Sequence, residues 1–239
     1  MFVVGNGMLA QNIKSSLPSS FKDIVFFASG VSDSTTTNHA EFEREILLLS
    51  RFLQSDMHIV YFSTCSIYDP DLVNSPYVRH KLHIENLLKS RGSFSLFRLP
   101  QVIGYPVNPA TLCNHFARCI RDGRHFTVWR DARRYLIDID DALSIIYSVL
   151  PAHIGKHACL NITPPLNISV HSIVRYLEDA LRIKATYSLC EHGSSYVVDL
   201  SGLPTACAEY SRLCSPFYYR SLISKYYSLP PSFAPVHPR

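Results

Sequence analysis

Tyr77 and Lys81 stand four residues apart in a chain of 239 residues. On a helix that spacing puts a phenol and an ammonium on one face, a turn apart. A positive charge beside a phenol favours the phenolate, so the pair is expected to carry a tyrosine of lowered pKa. Upstream, the apolar residues 59–62 read as a short strand that delivers Ser63, Thr64, Cys65 and Ser66 at its carboxyl end. A hydroxyl placed there could position a substrate oxygen. The three groups together suit proton and hydride exchange at a carbinol carbon.

The rest of the pattern supplies elements to hold them. Leu82, Ile84, Leu87 and Leu88 predict a helix over residues 77–88. At the start of the chain, residues 2–4 make a minimal strand that runs into Gly5-Asn6-Gly7-Met8-Leu9-Ala10, followed by the helical spacing of Leu9, Ile13 and Leu17. Such a turn places glycines where the backbone must bend tightly and approach a phosphate, at a helix N-terminus. Its bland alternative is a strand–helix turn with no ligand. Residues 23–27 form a second apolar strand, which ends in Ala28, Ser29 and Gly30. Residues 32–38 are a polar loop before a helix carrying Phe42, Ile46, Leu47, Leu49, Phe52 and Leu53. Arg91 and Gly92 stop the Tyr77 helix, and residues 94–99 are the next strand. This alternation predicts an α/β fold with a parallel sheet.

Farther on, Asp141 is expected to cap a helix over 142–150, residues 160–162 to form a last core strand, and 169–181 to form a helix. Residues 185–189 and 196–200 are expected as short strands, Trp129 as packing, and 230–239 as an extended tail.

With 47% hydrophobic and 18% charged residues, the composition is that of a folded globular protein. The net charge of +4 suits an anionic small substrate. No Lys/Arg run exceeds two residues, which argues against nucleic acid. The seven cysteines (65, 113, 119, 159, 190, 207 and 214) are scattered without a C-x-x-C, as expected of reduced cytoplasmic thiols rather than disulfides or a zinc site. His80 and His83 read as surface histidines, and no metal is expected. Neither a signal peptide nor a membrane span is expected.

In their order, the Gly5 turn, the residues 63–68, the Tyr77/Lys81 pair and the segment around Arg134 resemble the extended branch of the short-chain dehydrogenase/reductase superfamily, the nucleotide-sugar epimerases, dehydratases and reductases. The resemblance covers most of residues 1–165. It implies a Rossmann-like parallel sheet flanked by helices, with a small C-terminal substrate lobe: 1–104 and 133–165 as the core, 105–132 and 166–239 as the lobe. No acid occupies residues 27–32, where the fold holds the adenosine ribose. Phe27 to Gly30 instead resemble the family's fourth strand, and Glu45 stands where the family has an asparagine. One or two strands on the adenosine side are therefore expected to be missing.

The resemblance further implies Thr64, Tyr77 and Lys81 as catalytic residues, and NAD or NADP as cofactor. Gly5, Asn6, Gly7, Met8, Leu9, Ala28, Ser29, Gly30, Tyr77, Lys81 and Pro100 would bind it. Ser66, Gln101 and Arg134 would bind a nucleotide sugar, Arg134 through the diphosphate, unless it pairs with a nearby acid instead. Cys65 and Ser66 replace the acidic pair of the dehydratases, which leaves epimerisation or 4-keto reduction. The implied setting is surface-polysaccharide precursor synthesis in the cytoplasm, by a homodimer joined through residues 47–52 and 82–88, with no membrane partner. Two cofactor-free alternatives stay open: a sugar-nucleotide-binding or regulatory protein, and a proton-transfer enzyme.

Overall fold

The computed structural model describes residues 2–90, 92–106, 111–203 and 208–228. Phe2–Val4 (β1) runs through the glycine turn into Met8–Ser16 (α1), whose Ala10 and Ile13 are buried. Ile24–Phe27 (β2) is buried at every position, as an apolar run within a parallel sheet must be. Asn38 starts His39–Leu53 (α2) by accepting from the Ala40 amide. His58–Thr64 (β3) is buried throughout and passes into a 3-10 turn over Cys65–Tyr68. Ser75 caps Pro76–Lys89 (α3), with proline in the first turn, where a missing amide costs nothing. Phe94–Leu99 (β4) and Gln101–Ile103 (β5) flank Pro100.

Leu112–Arg121 (α4), Phe126–Trp129 (β6), Arg133–Arg134 (β7) and Leu136–Asp138 (β8) follow, then Ile139–Val149 (α5) and His157–Asn161 (β9). The remaining elements are Ile168–Ser169 (β10), Val170–Leu181 (α6), Tyr187–Cys190 (β11), Ala208–Ser211 (α7) and Tyr218–Tyr227 (α8).

Five strands make one parallel sheet in the order β1-β2-β3-β4-β9, with β1 at its edge. Its two faces are covered differently. Ile24, Phe26, Val60 and Phe62 pack with Ile13 of α1, with α5 and with the C-terminal helices. Val25, Phe27, Ile59 and Tyr61 pack with Leu49 of α2 and with Ile84 and Leu88 of α3. The chain steps from β1 to β2 to β3 in one direction, yet α1 and α2 lie on opposite faces. The two crossovers therefore have opposite hands, although parallel crossovers are nearly always right-handed. A right-handed helix leading to strands on the far side of β1 would lie on the face α1 occupies. The arrangement is thus that of a longer sheet without those strands among the described residues.

Smaller two-stranded pairings, β5 with β8, β6 with β11 and β7 with β10, extend from the carboxyl side of β4. The apolar core on the α1 side continues without a break into α4, α6 and α8.

Several local expectations change. Residues 196–200 form no strand, because asparagine side chains take their carbonyls: Asn167 donates to the Tyr196 oxygen at 3.0 Å and Asn161 to that of Asp199 at 2.7 Å. The cap of α5 is Asp138, not Asp141; Asp138 accepts from the Asp140 amide. Asp141 lies inside the first turn and accepts from the Tyr218 hydroxyl. His80 is buried rather than at the surface. Trp129 is 39% exposed and meets His192 edge-on. Arg91, Cys207 and residues 230–239 lie outside the described residues. No helix among the described residues is long and apolar enough to cross a membrane.

Candidate active site

Gly5, Ala28, Ser29, Gly30, Thr64, Tyr77 and Lys81 gather along the carboxyl ends of β1, β2 and β3, with Pro100, Gln101 and Arg134 beyond β4. The Val4 carbonyl accepts from the Ala28 amide at 2.8 Å, which lays the turn after β1 against the turn after β2. Gly5 has φ +125°, and a Cβ there would stand 2.4 Å from the Ala28 oxygen, so only glycine fits. Gly7 faces open space, and α1 begins there without a side-chain cap. Lys14 reaches back to the Gly5 carbonyl at 2.8 Å and to Asn6 Oδ1 at 3.2 Å. Met8 Sδ lies against Gly104 at the end of β5, and Leu9 packs on the core. Arg44 holds Ser29 through both its hydroxyl and its carbonyl. Gly30 lies directly on the Lys81 ammonium, 2.6 Å from where a Cβ would sit.

Thr64 is the last residue of β3. Its Oγ1 accepts from the Ser66 amide at 3.0 Å, and its side chain stands near enough to Tyr77 to favour the phenolate. Tyr77 is only 7% exposed. Burial pushes its phenol up to about 12; Thr64 opposes this, while Glu45, Cys65 and Asp33 reinforce it. The expectation of a lowered phenol therefore fails, although the spacing argument holds: Lys81 Nζ is 5.9 Å from the Tyr77 ring centre.

Burial is the first reason, and the pairing of Lys81 adds to it. Its Nζ donates to Glu45 Oε1 at 3.1 Å and to the Tyr61 hydroxyl at 3.0 Å. Glu45 is wholly buried on α2. Its Oε1 accepts from Tyr61 at 2.6 Å as well as from Lys81, and its Oε2 accepts from the Val31 amide at 2.7 Å and from His80 Nε2 at 2.9 Å. A carboxylate offers about four acceptor directions, so this one is fully used, and His80 must be the donor. Burial works against the Glu45 charge, but Lys81 and the bonds from His80, Tyr61 and Val31 outweigh it and hold the carboxyl down at about 2. Burial draws Lys81 below its ordinary value against the pull of Glu45.

Glu45, Tyr61 and His80 are the partners that motif reasoning missed. A signal was present: Glu45 sits on the apolar stripe between Phe42 and Leu49, the buried face of α2. His80 likewise falls between Tyr77 and Ile84 on the buried face of α3. A charged or polar residue in such a stripe demands a partner.

On the substrate side, Ser66 is half-buried beside Thr64, and Pro100 turns β4 into β5. The Gln101 amide donates to the Tyr135 carbonyl at 3.2 Å, and its Oε1 is buried with no hydrogen-bond partner. Arg134 is 12% exposed in its side chain, lies 3.3 Å from Asp69 Oδ2 and donates to the Arg133 carbonyl. That approach is close enough for charge attraction but not aligned for a hydrogen bond, since Asp69 Oδ2 has none. Among the described residues no group of three or more His, Cys, Asp or Glu side chains could hold a metal ion.

A parallel sheet with a glycine turn after its first strand and a tyrosine–lysine pair beside that turn defines a Rossmann-like α/β protein. Residues 23–162 match the NAD dependent epimerase/dehydratase family, and the chain belongs to it. No curated protein matches the chain. Among solved structures, MoeE5 in complex with UDP-glucose and NAD is 16% identical with TM-score 0.66, covering 94% of this chain and 97% of its own. The UDP-N-acetylglucosamine 4-epimerase from Bacillus cereus is 18% identical with TM-score 0.66, covering 95% and 97%. RMD from Pseudomonas aeruginosa complexed with NADPH is 16% identical with TM-score 0.63, covering 93% and 99%. At these identities the likeness is one of fold.

Proposed function

We propose that this chain is an NAD(P)-dependent epimerase or 4-keto reductase acting on a nucleotide-linked sugar, in cytoplasmic synthesis of surface-polysaccharide precursors. The observation that carries the reading is the meeting of Thr64, Tyr77 and Lys81 beside the Gly5 turn. Tyr77 exchanges the proton of the reacting oxygen, Thr64 orients that oxygen by hydrogen bonding, and Lys81 holds ribose hydroxyls. Gly7 leaves bare backbone facing open space at the start of α1, where a pyrophosphate would approach, while Gly5 and Gly30 let the neighbouring turns pack on Ala28 and on Lys81. Asn6, Met8 and Leu9 complete the pyrophosphate turn, Ala28 and Ser29 line the passage to Lys81, and Pro100 closes the nicotinamide end. When bound, NAD or NADP supplies a hydride acceptor or donor.

The solved relatives bind UDP-glucose with NAD in one case and NADPH in another, and the same chemical classes are proposed here. Ser66 and the unpartnered Gln101 Oε1 face the sugar's hydroxyls in this reading. Arg134 takes the diphosphate by giving up Asp69, whose carboxyl burial already pushes up. The segments after β5 and after β9 serve as the substrate lobe. Leu47, 65% exposed on α2, belongs to the proposed homodimer contact.

The test is a titration of the purified protein with NADH and NADPH, followed by nicotinamide fluorescence. Saturable binding weakened by Lys81→Ala is expected. A second reading rests on β1, which ends the sheet and leaves nothing to cover an adenosine among the described residues. Absence of binding at millimolar cofactor in folded protein would select that cofactor-free reading, and nucleotide sugars alone would then be screened.

A further inference from the structure

Glu45 sits beneath the three catalytic candidates with every acceptor direction filled, and proton exchange at Tyr77 gives it no task. Its contact with Lys81 is 3.1 Å, while Lys81 stands 5.9 Å from the Tyr77 ring centre. We propose that Glu45 is a positioning residue that sets the starting state of the proton carrier: paired with Lys81 in the interior, it offsets the ammonium's field at Tyr77, so that Tyr77 starts as a proton donor, the state that reduction of a carbonyl of its sugar substrate uses. The inference rests on the nucleotide-sugar reading above and, of its two reactions, favours reduction.

The polar and charged groups facing Tyr77 come from each element packed on it: the Thr64 and Tyr61 hydroxyls from β3, the neutral Cys65 thiol from the 3-10 turn, Asp33 from the loop before α2, Glu45 from α2 and Lys81 from α3. Around Lys81 stand Glu45, Glu85 and Arg44, and around Glu45 stand His80 and Tyr61. Lys81 is the one cation in the first group, and Glu45 answers it. A ketone carbon that receives two electrons as hydride from a reduced nicotinamide passes its π pair to oxygen. That oxygen takes the Tyr77 proton, and the phenolate is refilled from solvent. Oxidation of a hydroxyl starts from the reverse, a phenolate ready to accept, which an ammonium already paired with Glu45 favours less.

The experiment is a pH titration of the ligand-free protein carrying 13C-labelled tyrosine, with Tyr77→Phe assigning the signal. Tyr77 should stay protonated beyond pH 11 in the native protein. Glu45→Gln, which frees the Lys81 charge, should lower the midpoint by about 1–3 pH units. Adding Lys81→Met to Glu45→Gln should return it upward. A native Tyr77 titrating below pH 9, or a midpoint unmoved in folded Glu45→Gln, overturns the inference. If Glu45→Gln fails to fold, the native titration still decides. No cofactor or substrate is present, so this failure is distinct from failure to bind NADH or NADPH.

Discussion

Arg98 and Glu85 close on each other through two parallel hydrogen bonds, Nε to Oε1 at 2.9 Å and Nη2 to Oε2 at 2.6 Å. The Ser63 hydroxyl donates to the same Oε1 at 2.7 Å, and Arg98 Nη1 donates to the Tyr68 hydroxyl at 2.8 Å. Asn161 donates to Tyr68 in turn. One side chain each from α3, β3, β4, β9 and the 3-10 turn is thereby locked into a single register. That register sets Thr64, at the end of β3, against Tyr77, at the start of α3.

Breaking this lock on one side leaves a charge without its partner in the interior. Glu85→Ala should therefore destabilise the protein by about 3–5 kcal/mol. Replacing both partners with apolar residues, Glu85→Leu with Arg98→Met, should recover most of that loss. Urea unfolding of the three variants gives the comparison. Equal stability of Glu85→Ala and the native protein would mean that the pair does not hold α3 to the sheet.

Removing the Tyr77 hydroxyl takes away the proposed proton carrier but leaves the buried ring. Tyr77→Phe should fold with a near-native urea midpoint and lose measurable turnover of nucleotide sugars. Thr64→Val should keep Tyr77 in place and lower kcat by roughly 10²–10⁴. Retained turnover in Tyr77→Phe would remove Tyr77 from the chemistry.

Much of this arrangement could be read from residue patterns, because strands and helices here obey local rules. Apolar runs such as residues 94–99 bury both faces, and Ser75 with Pro76 announces α3 by capping alone. The Tyr77–Lys81 spacing predicted proximity correctly. It could not predict the sign of the shift, because that depends first on burial and then on Glu45, 36 residues away in sequence from Lys81 and delivered by a separate helix. Arg134 illustrates the same limit, since its partner Asp69 comes from the far side of the chain. The missing far strands were legible from the absent acid after β2, whereas the opposite hands of the first two crossovers required the faces of α1 and α2 to be known.

Glu45 also predicts an acid limit. Its folded carboxyl is held at about 2, below its ordinary value of 4.5. A depressed carboxyl contributes stability that is fully present above the unfolded value and is lost as pH falls through the folded one. The urea midpoint should thus fall between pH 4.5 and pH 2. Asp69 and Asp141, whose carboxyls burial raises, work in the opposite sense. The difference between native protein and Glu45→Gln isolates the Glu45 part: the variant should be less stable at pH 6, and the gap should narrow toward pH 2. A constant gap would show that Glu45 does not ionise with a lowered pKa.

Gly5 joins stability to ligand binding at a single position. Its φ of +125° is costly for any residue with a side chain, by about 1–3 kcal/mol. A methyl group there would also collide with the Ala28 carbonyl at 2.4 Å, which is backbone and cannot swing aside. Gly5→Ala should push the turn after β1 away from the turn after β2. The urea midpoint should drop accordingly, and NADH or NADPH binding should weaken more than stability alone explains, because the displaced turn is the proposed pyrophosphate seat. Gly7→Ala is the matched control, since its Cβ would meet nothing within 4 Å and should leave the fold intact. If Gly7→Ala weakens cofactor binding at native stability, a ligand approaches the backbone at that turn. If both variants bind as the native protein does, the glycine turn serves chain geometry only.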